Sequence, residues 1–198
     1  IREYIRNFIM SKLETNTIDN ISGSSTLTIG DSNTSTIALK SGATLTNFPD
    51  NTPAFEAYLS ANTDISNTTD TKVNCNTEVF DTDSAYDNSS NYRFTVPSGQ
   101  AGKYYIYGNV TIQTTGGVST NRFGVGKIYK NGSVYRQQYV SYENNYGFAT
   151  SHNLYATMDL AVGDYVELYI TATMSSGAPR VRADDKGTYL GGYRIIGA

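Results

Sequence analysis

The chain is 198 residues long, enough for one large all-β domain or for one ordinary domain with an appendage. Its 15 basic and 18 acidic side chains give a formal net charge of -3, without a basic block. The sequence therefore offers no electrostatic surface for nucleic acid or anionic lipid. Uncharged polar residues dominate, with 25 Thr, 19 Ser and 18 Asn beside 17 Tyr and no Trp. Because Thr and Tyr suit strands while Asn and Ser suit turns, this composition argues against a helical bundle or a doubly wound α/β enzyme.

The single cysteine and the single histidine narrow the chemistry further. Cys75 alone cannot form an intrachain disulfide, and with one histidine a structural zinc site is not expected. We expect Cys75 to be a small buried residue. His152 lies in Thr-Ser-His-Asn-Leu, which matches no nucleophile motif, so we expect no catalytic role for it. No run of 18 apolar residues occurs, so we expect no insertion into a membrane.

Apolar side chains recur at helical spacing in the first ten residues. Ten residues are too few to hold a helix in water without a partner, so this stripe predicts a docking helix that attaches the chain to another protein. A frayed terminus is the alternative, and Met10 begins a stretch typical of a second initiation site, which leaves open whether residues 1–9 are an extension. The candidate attachment residues are Ile1, Ile5, Phe8 and Ile9.

The next segment, residues 11–52, is rich in Thr and Ser, and residues 11–47 contain no aromatic side chain. Apolar residues alternate with Thr or Ser in short stretches, for example at Leu27/Ile29 and Ile37/Leu39. Such thin strands carry too little apolar surface to fold alone. The segment is therefore either disordered or wrapped around identical copies, and the regular alternation favours an attachment segment with a thin three-chain β stem.

From residue 53 to 198 the sequence is a series of alternating segments separated by turn signals. Asn131-Gly132 between two such segments is a strong signal for a β-hairpin. Short, regularly spaced strands with glycine turns are typical of a sandwich or barrel, and the jelly roll is the common large version. We therefore predict an all-β, antiparallel jelly-roll head of about eight to ten strands.

Several pieces of this head, in the same order along the chain, resemble the globular domain of complement C1q and its tumour-necrosis-factor-like relatives. The resemblance implies a jelly-roll sandwich that assembles as a homotrimer. No Gly-x-y repeat occurs in the chain, so the ligands of complement proteins are not carried over. The matching pieces are Pro53-Ala-Phe-Glu-Ala-Tyr58, Tyr86-Asp87 with Phe94 and Pro97, Gly102-Lys-Tyr104-Tyr105, Ile128-Tyr-Lys-Asn-Gly132, Leu160-Ala-Val-Gly163-Asp164 and Tyr189-Leu-Gly-Gly-Tyr193.

In that family tyrosine-rich strands meet on the three-fold axis, which the resemblance transfers to the tyrosines of two predicted strands here. Side chains alternate between the two faces of a strand, so only one of the sets Tyr105/Tyr107 and Tyr104/Ile106 can face a partner subunit. The candidate interface residues are Tyr104, Tyr105, Tyr107 and Tyr193.

The stretch from Met10 to Leu45, with Thr-Leu-Thr-Ile-Gly and Leu-Lys-Ser-Gly-Ala-Thr-Leu, resembles the start of virion appendage proteins of tailed phages. The resemblance implies a structural protein on the virion surface: a tail fibre, a spike or a capsid decoration. Its partners would be other virion proteins and a host-surface glycan or protein receptor. The alternative is a secreted bacterial adhesin, or an extracellular matrix or filament protein, with the same trimeric head.

Loops rich in Asn, Tyr, Ser and Gly would display the receptor contacts, because such loops contact polar ligands at low ordering cost. The candidates are residues 81–91, 114–122, 141–150 and 174–186.

Acidic clusters decide whether an enzyme or a metal site is expected. A carbohydrate-active enzyme would need two carboxylates facing a groove, and the clusters in this chain lie in loop-like sequence, so we expect no enzymatic activity. Calcium is the one cofactor that these carboxylates leave open, with solvated turn residues as the alternative. The candidate ligands are Asp81, Asp83, Asp87, Asp184 and Asp185.

Overall fold

A computed structural model describes most of the head. The described residues are 51–116, 120–143 and 147–196, together with Ser41. The chain divides into two units, Ile1–Asn47 and Phe48–Ala198, and the structure below is that of the second unit. The predicted docking helix and β stem lie outside the described residues and stay predictions. The same holds for the attachment residues Ile1, Ile5, Phe8 and Ile9.

Thirteen strands form in the described part of the chain, and their pairings are antiparallel. A short 3-10 turn, Asp184–Lys186, precedes the last strand. No helix within these residues is long and apolar enough to cross a membrane. The strands are β1 Ala54–Tyr58, β2 Thr63–Asp64, β3 Thr71–Lys72, β4 Thr77–Asp81, β5 Tyr86–Asp87, β6 Arg93–Thr95, β7 Gly102–Thr114, β8 Asn121–Lys130, β9 Ser133–Ser141, β10 Ala149–Leu160, β11 Tyr165–Met174, β12 Pro179–Val181 and β13 Tyr189–Arg194.

The long strand β7 is the centre of a seven-stranded first sheet. Its aromatic and β-branched residues alternate with smaller or polar ones, a pattern that suits a half-buried strand. β10 pairs with one side of β7 along nearly its whole length. β13 and β12 share the other side, and β1 and then β4 follow beyond β13. β10 and β4 therefore lie at opposite edges of this sheet.

The second sheet has six strands arranged around β11. β8 pairs with one side of β11 and β9 continues beyond β8, while β6 and β3 pair with the other side. The predicted hairpin between β8 and β9 is confirmed, since Asn131 and Gly132 form the turn with φ of 51° and 76°. The two sheets make the predicted all-β antiparallel sandwich, which is likewise confirmed.

A column of aromatic rings joins the two sheets through the core. The ring of Phe55 in β1 stacks on Phe94 in β6 at 4.6 Å between centroids and on Tyr86 in β5 at 5.3 Å. Tyr104 in β7 lies 5.5 Å from Phe94. The hydroxyl of Tyr86 donates to the carbonyl oxygen of Cys75 at 3.0 Å. All four rings belong to the pieces that carry the family resemblance, so the resemblance reflects packing of the core.

Cys75 and His152 are both core residues. Cys75 is fully buried, as predicted, and burial raises the pKa of its thiol to about 12. His152 in β10 is also fully buried, with Nδ1 at 3.3 Å from the carbonyl oxygen of Val110. Its ring crosses the sandwich to Gly124 in β8, where a Cβ would lie 2.5 Å from Nε2. Burial lowers the pKa of His152, so the imidazole fills core space opposite a glycine in its neutral form.

The sandwich has two distinct ends. The chain enters at Pro53, whose carbonyl accepts from the backbone N–H of Arg194 at 3.1 Å, beside the start of β7. β10 ends there too, and a short turn leads into β11 at Tyr165. We call this end the base. The opposite end, where β7 ends at Thr114 and β11 ends at Met174, we call the apex.

Candidate functional site

The outer face of the first sheet carries a patch of tyrosines. In β7 the alternation of side chains sends Tyr104 and Ile106 into the core and Tyr105 and Tyr107 outward. Directly opposed residues of antiparallel strands share a face, so the register adds tyrosines from β1, β10 and β13. We call this patch the tyrosine face. Its members are Tyr58, Tyr105, Tyr107, Tyr155, Tyr189 and Tyr193.

The rings at the centre of the tyrosine face contact one another. The ring centroid of Tyr105 lies 5.7 Å from that of Tyr193 and 6.1 Å from that of Tyr107, and Tyr107 lies 6.2 Å from Tyr189. Tyr107 crosses Gly191, where a Cβ would come within 2.5 Å of the ring. The glycine of β13 therefore leaves the space in which this ring lies against the sheet.

The charged groups at the tyrosine face have partners within the chain, and Nζ of Lys186 lies 5.0 Å from the ring centroid of Tyr58. The hydroxyl of Tyr107 donates to Oε2 of Glu56 at 2.9 Å, and burial together with this hydrogen bond raises the pKa of Tyr107 above its usual range. Lys103 and Asp159 form an ion pair of 3.1 Å towards the base. Tyr155, by contrast, is 65% exposed in the single chain. Tyr193 is 37% exposed, and the other four rings are half-buried. A contiguous set of aromatic rings at the surface is typical of a protein interface.

The structure corrects the assignment of Tyr104 to a subunit interface. Tyr104 is fully buried, and its hydroxyl donates to the carbonyl oxygen of Gln100 at 2.5 Å. Burial raises its pKa to about 12. The cause is strand alternation, because a residue next to the outward Tyr105 must face the core. The other three candidates, Tyr105, Tyr107 and Tyr193, lie together on the tyrosine face.

Three members of the tyrosine face were not identified from the sequence. Tyr58 and Tyr189 lie opposite each other in β1 and β13, and Tyr155 in β10 lies opposite Tyr107. Their strands were predictable, but their common face depends on the register between strands that are distant in sequence. Alternation along each strand shows which residues share a face of that strand. Only the pairing between strands shows which faces of different strands lie together.

The first acidic cluster serves local turns near the base. Both oxygens of Asp87 accept hydrogen bonds from the backbone N–H groups of Ser89, Ser90 and Asn91 at 2.8–3.0 Å, and from the side-chain amide of Asn91. These bonds hold the pKa of Asp87 well below its usual range. Asp81 accepts from the backbone N–H of Tyr86 at 2.8 Å.

The remaining candidate ligands are held in the same local way. Asp83 accepts from the hydroxyl of Thr82 at 2.5 Å. Asp184 pairs with the guanidinium of Arg182, and Asp185 follows in the 3-10 turn with a left-handed φ of 51°. Among the residues that the structure describes, no three acidic, histidine or cysteine side chains are grouped as a metal site would require. The described residues therefore provide no set of ligands for the calcium ion that the sequence left open.

Three of the four predicted display loops meet at the apex. The backbone N–H of Ser175 donates to the carbonyl oxygen of Thr120 at 2.9 Å, and that of Tyr142 to the carbonyl oxygen of Arg122 at 2.7 Å. Among the described residues, these hydrogen bonds connect region 114–122 with region 174–186 and with region 141–150. The fourth region, 81–91, leads into β6, which pairs with the start of β11 near the base. It therefore lies at the end where the chain enters.

The outer face of the second sheet is built differently. The carboxylate of Asp70 accepts from Lys127 Nζ at 2.7 Å, from Thr171 Oγ1 at 2.8 Å and from the hydroxyl of Tyr129. Burial opposes ionisation of Asp70, but these hydrogen bonds outweigh it and lower the pKa. Tyr129 also stacks on Tyr169 at 4.1 Å between centroids. The charged groups and hydroxyls around Asp70 are thus paired within the chain.

Solved structures with the same architecture identify the fold. The crystal structure of murine APRIL is similar with a TM-score of 0.53 and 14% sequence identity, covering 72% of this chain and 98% of that chain. The globular domain of zebrafish complement 1qA protein is similar with a TM-score of 0.50 and 14% identity, covering 73% and 98%. No family model matches the sequence, and no curated protein is significantly similar to it. The head therefore has a C1q/TNF-like jelly-roll fold, which confirms the predicted fold class.

Proposed function

We propose that the chain is a non-enzymatic display protein whose jelly-roll head assembles as a homotrimer through the tyrosine face. The tyrosine face is the observation that carries this proposal. Its rings are already ordered against the sheet, so joining a partner subunit immobilises few additional side chains. Aromatic side chains also contribute large apolar area and a hydroxyl for hydrogen bonding, which suits an interface.

The geometry of the head favours a ring of three over a two-fold pair. The face of the first sheet extends to its edge strand β10, where Tyr155 lies opposite Tyr107 and is 65% exposed. A sheet face on one subunit that receives an edge from the next is a heterologous contact, and such contacts close into rings when the rotation permits. The C1q/TNF-like fold supports three subunits. We expect several thousand Å2 of total buried surface, as in obligate oligomers.

In this proposal the trimer is part of a tailed-phage virion: a tail fibre, a spike or a capsid decoration. The support is the Thr- and Ser-rich sequence before residue 53 together with the polarity of the head. The chain enters at the base, and three polar loop regions meet at the apex. Attachment through the N-terminal segment and recognition of a host-surface receptor at the apex follow from that arrangement. A secreted adhesin would use the same head and differ in its location.

The interface is tested by a matched pair of tyrosine substitutions. Tyr155 and Tyr139 are each 65% exposed and each lie on a strand at the edge of a sheet. Tyr155 belongs to the tyrosine face, whereas Tyr139 in β9 faces away on the second sheet. We expect Tyr155→Asp to release monomers and Tyr139→Asp to leave the trimer intact, measured by sedimentation equilibrium at micromolar concentration. Two unchanged trimers would refute the tyrosine face as the interface.

The location is tested separately by imaging and by truncation. Cryo-electron microscopy of intact particles should show three-fold density for the head on the tail or the capsid. Deleting residues 1–10 should prevent incorporation while the trimer still forms in solution. Normal incorporation of the truncated chain would move attachment to another segment. Protein found only in the culture medium of the producing cells would favour the adhesin.

A further inference from the structure

A cleft of about 500 Å3 opens on the outer face of the second sheet, at its apex end. Strands β8, β9 and β11 supply its walls. It is separate from the tyrosine face, which lies on the opposite side of the sandwich. Its lining residues are Arg122, Phe123, Tyr139, Ser141, Tyr142 and Thr173.

Three of the six residues that line the cleft are aromatic. Tyr139 is 65% exposed, so much of its side chain is accessible to a ligand. Tyr142 is held in place, because its hydroxyl is bonded to Thr150 Oγ1 at 2.7 Å and its ring packs on Gly147, where a Cβ would lie 2.6 Å away. A fixed aromatic ring beside an exposed one provides apolar surface on which the C–H groups of a saturated ring can pack.

Polar groups in the cleft have unused hydrogen-bonding capacity. The guanidinium of Arg122 has no hydrogen bond or ion pair with the other described residues, in contrast to Arg180 and Arg182, which each pair with an aspartate. Oγ1 of Thr173 is buried without a hydrogen-bond partner in the same part of the chain. Unpaired donors beside aromatic walls are the usual composition of a small-ligand site.

We propose that this cleft binds an acidic saccharide unit, with the sugar ring on Tyr139 and Phe123 and its carboxylate on Arg122. The aromatic rings suit the apolar face of a pyranose, and a free guanidinium suits a carboxylate, which it binds through two parallel hydrogen bonds. The side chain of Ser141 adds a hydroxyl that can bond to sugar hydroxyls. The inference deepens the proposed function, since it assigns the receptor-binding role of the head to one site and one ligand class.

The placement of the cleft agrees with a trimer built on the tyrosine face. The interface would cover the first sheet, and the cleft on the second sheet would stay open in each subunit. Three equivalent clefts would then point outward near the apex. Binding to a surface polysaccharide would gain from this multiplicity, because the second and third contacts are intramolecular.

The test uses the full chain and a defined panel of probes: oligomers of galacturonate, mannuronate and N-acetylneuraminate, each beside its methyl ester. Isothermal titration should give saturable binding of at least one acid form, about tenfold tighter than its ester. Tyr139→Ala should weaken binding of both forms by about tenfold or more. Arg122→Gln should abolish the preference for the acid and leave ester binding in place.

Tyr135→Ala is the matched control, because Tyr135 is an exposed tyrosine of the same strand outside the cleft. It should leave saccharide binding unchanged. Absence of saturable binding by every acidic probe, or binding that neither cleft variant alters, would overturn the proposal. The oligomeric mass of the same samples separates this result from a failure of the proposed function: a trimer that binds no probe refutes the cleft alone, and a monomer that binds refutes the trimer alone.

Discussion

The outer faces of the two sheets differ in the side chains that they present. One carries a cluster of paired polar groups, and the other carries a patch of tyrosine rings. On the second sheet, Asp70 collects hydrogen bonds from Lys127, Thr171 and Tyr129, and Lys72 pairs with Glu167 at 2.5 Å. The segment around β3, which pairs with the edge of β11, supplies Asp70 and Lys72 to this face. On the first sheet the tyrosine face carries rings that contact one another, with one carboxylate at its centre.

The difference indicates which face requires a partner. The charged groups that pair around Asp70 and Lys72 gain little from association, because these polar groups would have to be desolvated. A face of contiguous aromatic rings gains from every ring that leaves water, at about 25 cal/mol per Å2 of apolar surface. The two faces therefore make opposite predictions for equivalent substitutions.

The largest effect is expected at the centre of the tyrosine face. Tyr107→Asp replaces an aromatic contact with a carboxylate beside Glu56, and Tyr105→Asp places a charge among the neighbouring rings. Either change should cost about 2 kcal/mol or more at each interface and dissociate the trimer at micromolar concentration. Sedimentation velocity measures the loss, with far-ultraviolet circular dichroism as the control for folding. A trimer that survives both changes would place the interface elsewhere.

The next largest effect belongs to the core, which does not depend on a partner. Phe94→Ala removes the ring that Phe55 and Tyr104 both contact. The free energy of unfolding of this variant should be about 3–5 kcal/mol lower than that of the parent protein. Urea unfolding at fixed chain concentration checks this, with the conservative Phe94→Leu as the control that restores most of the stability. A loss below about 1 kcal/mol would mean that the aromatic column is not the centre of the core.

A smaller effect is expected on the outer face of the second sheet. Asp70→Ala removes the acceptor of Lys127, Thr171 and Tyr129 and should lower the free energy of unfolding by about 1–2 kcal/mol. The pKa of Tyr129, which burial and Asp70 raise to about 12, should fall towards its usual value. The difference between the ultraviolet titration curves of the variant and of the parent protein checks the second effect, because all 17 tyrosines contribute to each curve. The oligomeric mass should not change, and a dissociated trimer would erase the contrast between the two faces.

The smallest effect is a pH dependence caused by His152. Burial lowers its folded pKa, so the unfolded chain binds the proton more strongly than the folded chain does. Stability is then complete above about pH 6.5 and falls as the pH drops below that value, by at most about 1.4 kcal/mol per pH unit. His152→Gln should flatten this part of the curve of unfolding free energy against pH. Equal slopes for the two proteins between pH 7 and pH 5.5 would contradict the assignment.

The sequence was sufficient for features that depend on local patterns. Asn131-Gly132 predicts its hairpin because both residues tolerate positive φ, and alternation in β7 limits Tyr104 and Tyr105 to opposite faces. Which of the two faces outward is decided by packing against Phe94, which local pattern does not contain.

Short edge strands and surface sites could not be predicted from the sequence. Val79 and Phe80 of β4 are exposed, so their strand lacks an alternating apolar face. The cleft at Arg122 joins three strands through the β8–β9 and β8–β11 registers, and no spacing along the chain encodes that meeting. The tyrosines of different strands form one face for the same reason, through register between distant segments.

The mass of the full chain in solution is the most direct test of the tyrosine face as a subunit interface. Sedimentation equilibrium over a range from about 0.1 to 10 micromolar covers the concentrations at which a weak contact would dissociate. The account predicts one species with three times the mass of the single chain throughout this range. A species with the mass of one chain at the highest concentration would contradict it, because the aromatic surface would then be open to water without a partner.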